Sequence, residues 1–240
     1  MKKNYWYLIV GLFIIILVAV FAIGRSPREG QSDVANRETG EGLGNKEVQT
    51  QTYLASNTPS VKTGDKIIGN SQATLKIFVY EDYASRYSAD LADTLDKVKA
   101  ESGDKLAIVV RPYITRNSAN ALRLAQAIDC ADEQGKWLEM RALLFSKAKN
   151  QQFISDDLVD DIAQLNLDNE VFSACLTNQD KSGTIEQSVA EAGTYGVMGA
   201  PTMFIGGEII IGARPYDDFT DSNGDLISGL KSVVENKLSL

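Results

Sequence analysis

The sequence predicts an α/β fold with a helical insertion in its middle, preceded by an N-terminal transmembrane helix. Three observations carry this expectation. An uncharged apolar run occupies Tyr5 to Ile23, a β-rich run, a helical period and a second β-rich run follow one another from Leu75 to Val110, and two short β-rich runs face each other across Gly206-Gly207.

Tyr5 to Ile23 reads YWYLIVGLFIIILVAVFAI, nineteen residues without a charge. At ~1.5 Å rise per residue they span about 28 Å, close to the hydrocarbon thickness of a bilayer. Tyr5, Trp6 and Tyr7 stand at one end, where amphipathic rings favour the headgroup level. Ala22-Ile23-Gly24 would serve as a small-x-small cleavage site, but the apolar run is longer than the ~7–15 residues of a signal peptide's core. The reading is therefore an uncleaved anchor over residues 1–24. Lys2 and Lys3 precede it while Arg25, Arg28 and Arg37 follow it, so the positive-inside balance leaves its orientation nearly tied. Residues 25–61 are rich in Gly, Ser, Thr, Asn, Gln and Glu. Such a stretch buries too little apolar surface to offset its ordering entropy, and it reads as a flexible polar tether.

The body, residues 62–240, alternates strand and helix. Leu75-Lys-Ile-Phe-Val-Tyr80 is a strand; from Ser85 to about Glu101 the spacing turns helical, with Leu91, Leu95 and Val98 on one face. Gly103 stops that helix, and Leu106 to Val110 is continuously apolar, as a doubly covered parallel strand is. Helical periods follow over Asn117–Gln134, Trp137–Lys149, Asp156–Leu165, Glu170–Leu176 and Ser182–Tyr195. The hairpin Thr202–Ile205 and Glu208–Ile211 comes next, and a last helix, about Tyr216 to Leu238 with a break near Asn223-Gly224, closes the chain. A β-α-β unit, a helical block over about 115–180, a hairpin and a helix make the thioredoxin topology with a helical insertion.

Composition removes several kinds of chemistry. There is no histidine, so Ser-His-Asp or Cys-His catalysis and His-ligated zinc are excluded. Two cysteines cannot build an all-cysteine zinc site. The chain carries 24 basic and 32 acidic side chains, a net −8. An acidic body of this kind disfavours nucleic acid and anionic headgroups as ligands. No metal or cofactor is expected. Asp221-Ser-Asn223-Gly-Asp225 opens like a calcium loop, but Leu226 and Ser232 stand where such a loop needs Gly and a bidentate Glu, so it reads as a polar turn.

Three segments stand in order along the body: Gly69 to Tyr83, Cys130-Ala-Asp-Glu-Gln-Gly-Lys-Trp137, and Val197-Met-Gly-Ala-Pro-Thr-Met-Phe-Ile-Gly206. Together they resemble the DsbA-like thiol:disulfide oxidoreductase family of the thioredoxin-fold superfamily. The resemblance implies an extracytoplasmic domain on a single-pass membrane protein. It also implies a C-x-x-C motif opening the first long helix, and there the sequence departs: the positions hold Ser85 and Ser88. Exchange needs a thiolate to attack and a second thiol to resolve, and a helix N-terminus that lowers a thiol's pKa from ~8.5 to ~3.5–7 cannot usefully ionise a serine hydroxyl. Ser85 reads instead as a helix N-cap.

The resemblance also places Cys130 and Cys175 where some members carry a second, structural disulfide; two buried free thiols is the other reading. It makes Pro201 a cis-proline whose loop, Ala200-Pro201-Thr202, pairs with an extended segment. The expected function is a redox-inactive module that binds an extended peptide or an envelope protein near the membrane. The rival is a thiol-disulfide oxidoreductase working through Cys130 and Cys175 or as an accessory to another thiol enzyme.

Overall fold

The computed structural model describes residues 51–55, 57–115, 120–152, 158 and 162–239. The predicted anchor and the tether as far as residue 50 lie outside them. Among the described residues no helix is long and apolar enough to cross a membrane.

A six-stranded sheet forms the centre. Its strands are β1 (Gln51–Leu54), β2 (Lys66–Gly69), β3 (Leu75–Glu81), β4 (Leu106–Pro112), β5 (Thr202–Ile205) and β6 (Glu208–Ile211), in the spatial order β1-β6-β5-β3-β4-β2. Only β3 and β4 run parallel, joined by the helix α1 (Arg86–Ser102), while every other pair is antiparallel. β3 and β4 are apolar without alternation because both faces of the sheet are covered. On one face Ile77, Val79, Ile108 and Met203 meet Leu91, Leu95 and Val98 of α1 and Leu230 and Val234 of α6 (Leu230–Leu238). On the other, Phe78, Val109, Phe204 and Ile209 meet Ala192 of α5 (Gln179–Thr194) and Val197.

The insertion between β4 and α5 contains α2 (Ala121–Asp132), α3 (Trp137–Lys149) and α4 (Asn169–Leu176). Its own core gathers Leu124, Ile128, Met140, Leu144 and Phe172, all at most 1% exposed, and extends onto Tyr83, Ala89 and Ala92 beside the start of α1. Cys130 of α2 and Cys175 of α4 form a disulfide within this core, with Cα atoms 5.7 Å apart and 45 positions between them. Of the expected helix Asp156–Leu165, the described residues are Leu158, the helical Ile162, whose N–H donates to the Leu158 carbonyl (2.9 Å), and the 3-10 turn Ala163–Leu165, ended by Asn166 in the left-handed conformation.

Two expectations need correction. Gln51–Leu54, read as part of the tether, is a strand: β1 pairs with β6 from Gln51 opposite Ile211 to Leu54 opposite Glu208. Nothing in a four-residue polar-apolar run announces a partner some 150 positions away, and the ladder with β6 supplies the hydrogen bonds that order it.

The closing helix is also shorter than its apolar period suggested. Residues Phe219–Thr220 (β7) and Leu226–Ile227 (β8) form a small hairpin, and only Leu230–Leu238 is helical. The polar turn decides this locally: the Asp221 carboxylate accepts the N–H groups of Asn223 (2.8 Å) and Asp225 (3.0 Å), and Gly224 takes φ +89°. Gly229 then passes so close to the backbone of Tyr216 and Asp217 that a Cβ would collide with it, which sets where α6 can begin.

Candidate functional site

The site lies where β3 runs into α1. Asp82 organises the turn: its carboxylate accepts the Ala84 N–H (2.9 Å) and the Thr115 hydroxyl, and its carbonyl accepts the Ser85 N–H (2.9 Å). Ser85, in extended conformation, is the N-cap of α1, its hydroxyl accepting the Ser88 N–H at 3.3 Å. Ser88, on the first turn, is fully buried, and its hydroxyl accepts the Asp82 N–H at 3.2 Å. The two serines that occupy the expected cysteine positions are therefore bound into the turn that precedes the helix.

The register of the sheet brings the proline loop to the same end. Thr202 pairs with Tyr80, so Pro201 stands level with Glu81. The Ala200–Pro201 peptide is cis. The Thr202 hydroxyl donates to the Gly199 carbonyl (2.7 Å), and Gly212 donates to the Pro201 carbonyl (2.9 Å). The backbone N–H and C=O of Ala200 form no hydrogen bond among the described residues. Beside this loop in sequence, Met198 is 84% exposed, and on α1 Tyr87 is 48% exposed. Arg86 and Tyr87 also open onto a groove of about 640 Å³ that Asn120, Leu124, Gln151 and Gln152 complete.

Behind the turn are groups that sequence reasoning did not single out. Glu81, wholly buried, is gripped by Arg141 of α3 through Nε (2.8 Å) and Nη2 (2.6 Å). Burial works against the Arg141 charge, and the Glu81 carboxylate more than offsets it, holding the guanidinium above its ordinary range. Tyr83 packs against Phe145 with ring centroids 5.6 Å apart, and its hydroxyl has no hydrogen-bond partner among the described residues. Burial first, then the Glu81 charge, pushes that phenol well above its usual range. A second grip, Arg111 on Asp65 through Nε and Nη2 at 2.9 Å each, ties β4 to the loop before β2. The only sequence signal for either pair was a charged residue at the end of an apolar strand.

The disulfide stands apart from this turn in character. Cys130 is 1% exposed and Cys175 9%, both inside the helical core, which suits a staple between α2 and α4 better than an exchange centre. Ser88→Ala is expected to leave the buried Asp82 N–H unpaired, at a cost of about 1–3 kcal/mol. Ser85→Ala, which removes only a half-exposed cap, should cost about 1 kcal/mol. Urea titration of the two variants side by side checks the order.

Known proteins share this architecture. A periplasmic thioredoxin-like protein from Salmonella enterica serovar Typhimurium superposes with a TM-score of 0.54 at 22% identity, over 73% of this chain and 91% of that one. Wolbachia pipientis alpha-DsbA1 gives 0.56 at 17%, over 75% and 91%, and the catalytic domain of Proteus mirabilis ScsC 0.57 at 18%, over 73% and 90%. At these identities the likeness establishes the fold. Among curated proteins, the chain is 25% identical over 154 residues to the Na(+)/H(+) antiporter NhaA of Nitrosospira multiformis and 28% over 153 residues to that of Herminiimonas arsenicoxydans. Each alignment takes in 64% of this chain, which spans only 23% and 24% of the two antiporters' own length. The family model described as Thioredoxin matches residues 61–222, from the loop before β2 into the β7–β8 turn, and the chain belongs to that family.

Proposed function

We propose that this chain is a membrane-anchored, extracytoplasmic thioredoxin-fold protein that performs no thiol-disulfide exchange and binds an extended peptide or protein segment. The observation that carries the reading is the use of Ser85 and Ser88 as caps and turn partners at the head of α1, where an exchange enzyme presents its thiols. With neither a thiolate nor a histidine base, the turn supplies no nucleophile. The recognition surface is intact beside it. The free backbone groups of Ala200 can pair with a strand, and the exposed Met198 and Tyr87 offer apolar contact at the same end of the sheet. The apolar segment Tyr5–Ile23 holds the domain at the membrane.

The test is insulin reduction by the full chain in detergent, beside the Ser85→Cys/Ser88→Cys variant. The native chain should be inert and the variant active, because the helix field is then given thiols to act on. Turnover by the native chain would refute the redox-inactive reading. For the binding half, fluorescein-labelled oxidised insulin B chain should bind saturably and more weakly to Tyr87→Ser; an absence of binding rejects a peptide-binding role.

A further inference from the structure

Among the described residues, three arginines are almost fully buried: Arg111 (2% exposed), Arg141 (4%) and Arg214 (3%). The first two share one device, in which Nε and Nη2, the two donors on the same side of the guanidinium, grip a carboxylate. Arg214, between β6 and β7, presents the same fork to something less. Its Nη2 donates to the hydroxyl of Thr52 on β1, its Nη1 to the Ser228 carbonyl (3.2 Å), and its Nε has no partner among the described residues. The guanidinium also lies over the Phe219 ring at 5.8 Å. Burial lowers its pKa, and the acid felt most, Glu208, is itself tied to Lys237 at 2.6 Å. A buried cation of this kind is costly until a carboxylate meets it.

The strand that covers it is a weak occupant. β1 has four residues, lies outside the span matched by the family, and offers a neutral hydroxyl where the fork calls for an acid. Beneath it β6, Glu208-Ile-Ile-Ile211, is a β-branched edge of high pairing tendency.

We infer that the outer edge of β6 is a docking site for an extended protein segment that carries a carboxylate opposite Ile210, and that β1 occupies this edge as a displaceable cover. The position is fixed by register: Thr52 is the residue opposite Ile210. An aspartate or glutamate there keeps the bond to Nη2 and supplies the missing partner of Nε, while the backbone ladder stays as β1 makes it. Arg214 is then the residue that selects the incoming strand. This edge belongs to β6, two strands from β3, and is distinct from the Ala200–Pro201 loop, so the inference does not depend on the redox state of the Ser85–Pro201 site.

The test uses two fluorescein-labelled peptides of residues 49–56, one with the native threonine and one with the Thr52→Asp change. Each is titrated into the full chain in detergent and into the full chain carrying Tyr53→Pro, which removes the N–H turned toward Ile209 in the alternation that begins with the Ala55 N–H on the Gly207 carbonyl, and so frees the edge. The aspartate peptide should bind the Tyr53→Pro chain about tenfold more tightly than the threonine peptide, the difference between a charge-assisted and a neutral hydrogen bond. That preference should disappear in the Tyr53→Pro/Arg214→Gln chain, and binding to the native chain should be weaker because β1 competes. A Thr52→Asp substitution in the chain itself should raise Tm, a result that stands even if Arg214→Gln does not fold. Equal affinity of the two peptides, binding by neither, or self-association of the Tyr53→Pro chain that leaves both peptides free overturns the inference; the last outcome would assign the edge to a second copy.

Discussion

Glu81→Gln should destabilise the domain by about 3–5 kcal/mol, the effect of stranding a buried guanidinium without its counter-ion. The pair is dry on both sides, with side-chain exposures of 5% for Arg141 and 0% for Glu81, so solvent cannot take over from the lost carboxylate. It also bridges two bodies of the fold. Glu81 ends β3 in the central sheet and Arg141 sits on α3 of the helical insertion, stacked over Phe145 at 4.9 Å. Arg141→Met should cost a similar amount, because the carboxylate is then left alone. The double variant Glu81→Met/Arg141→Met should recover much of the loss, since two apolar side chains of comparable length carry no desolvation penalty. Urea unfolding of the three variants reads all three numbers. If the double variant is as unstable as the singles, the pair holds the two bodies in register by its hydrogen bonds rather than by charge balance.

The second large effect is expected at the disulfide. Removing it with Cys130→Ala/Cys175→Ala opens a loop of 45 residues, for which the chain-entropy relation gives about 4 kcal/mol. Both sulfurs lie within the helical core, so a thiol reductant should leave the bond intact in the native protein and reduce it once denaturant opens α2 and α4. Quantifying free thiols with and without urea, at one reductant concentration, checks the order of events. Rapid reduction of the native protein would instead mark the pair as exchangeable and revive the oxidoreductase reading.

Much of this architecture was legible along the chain. The strand Leu75–Glu81, the helix that follows it and the strand Leu106–Pro112 announce themselves by period, as do Trp137–Lys149 and the Gly-Gly hairpin, because each pattern is written within one element. The cap at Ser85 was legible for the same reason: a serine before an apolar helical period needs only its own next turn. The closing segment misled because Phe219, Leu226 and Ile227 are spaced loosely enough to continue a helical face, while the Asp221 turn, a matter of five residues, reverses the chain between them. Short local hydrogen bonds outweighed a weak apolar period there.

By itself, then, the sequence determined the order of elements, the absence of histidine and of thiols at the head of α1, and the apolar segment that precedes the body. Those are properties of neighbouring residues and survive any folding. Only the tertiary structure decided that Arg141 meets Glu81, that Arg111 meets Asp65, that Arg214 meets no acid among the described residues, and that a piece of the polar tether becomes the sheet's outer strand. Each joins positions between 46 and 162 apart in the chain. A charged side chain in an apolar strand shows only that a partner is required, and the packing of separate elements determines which one it receives.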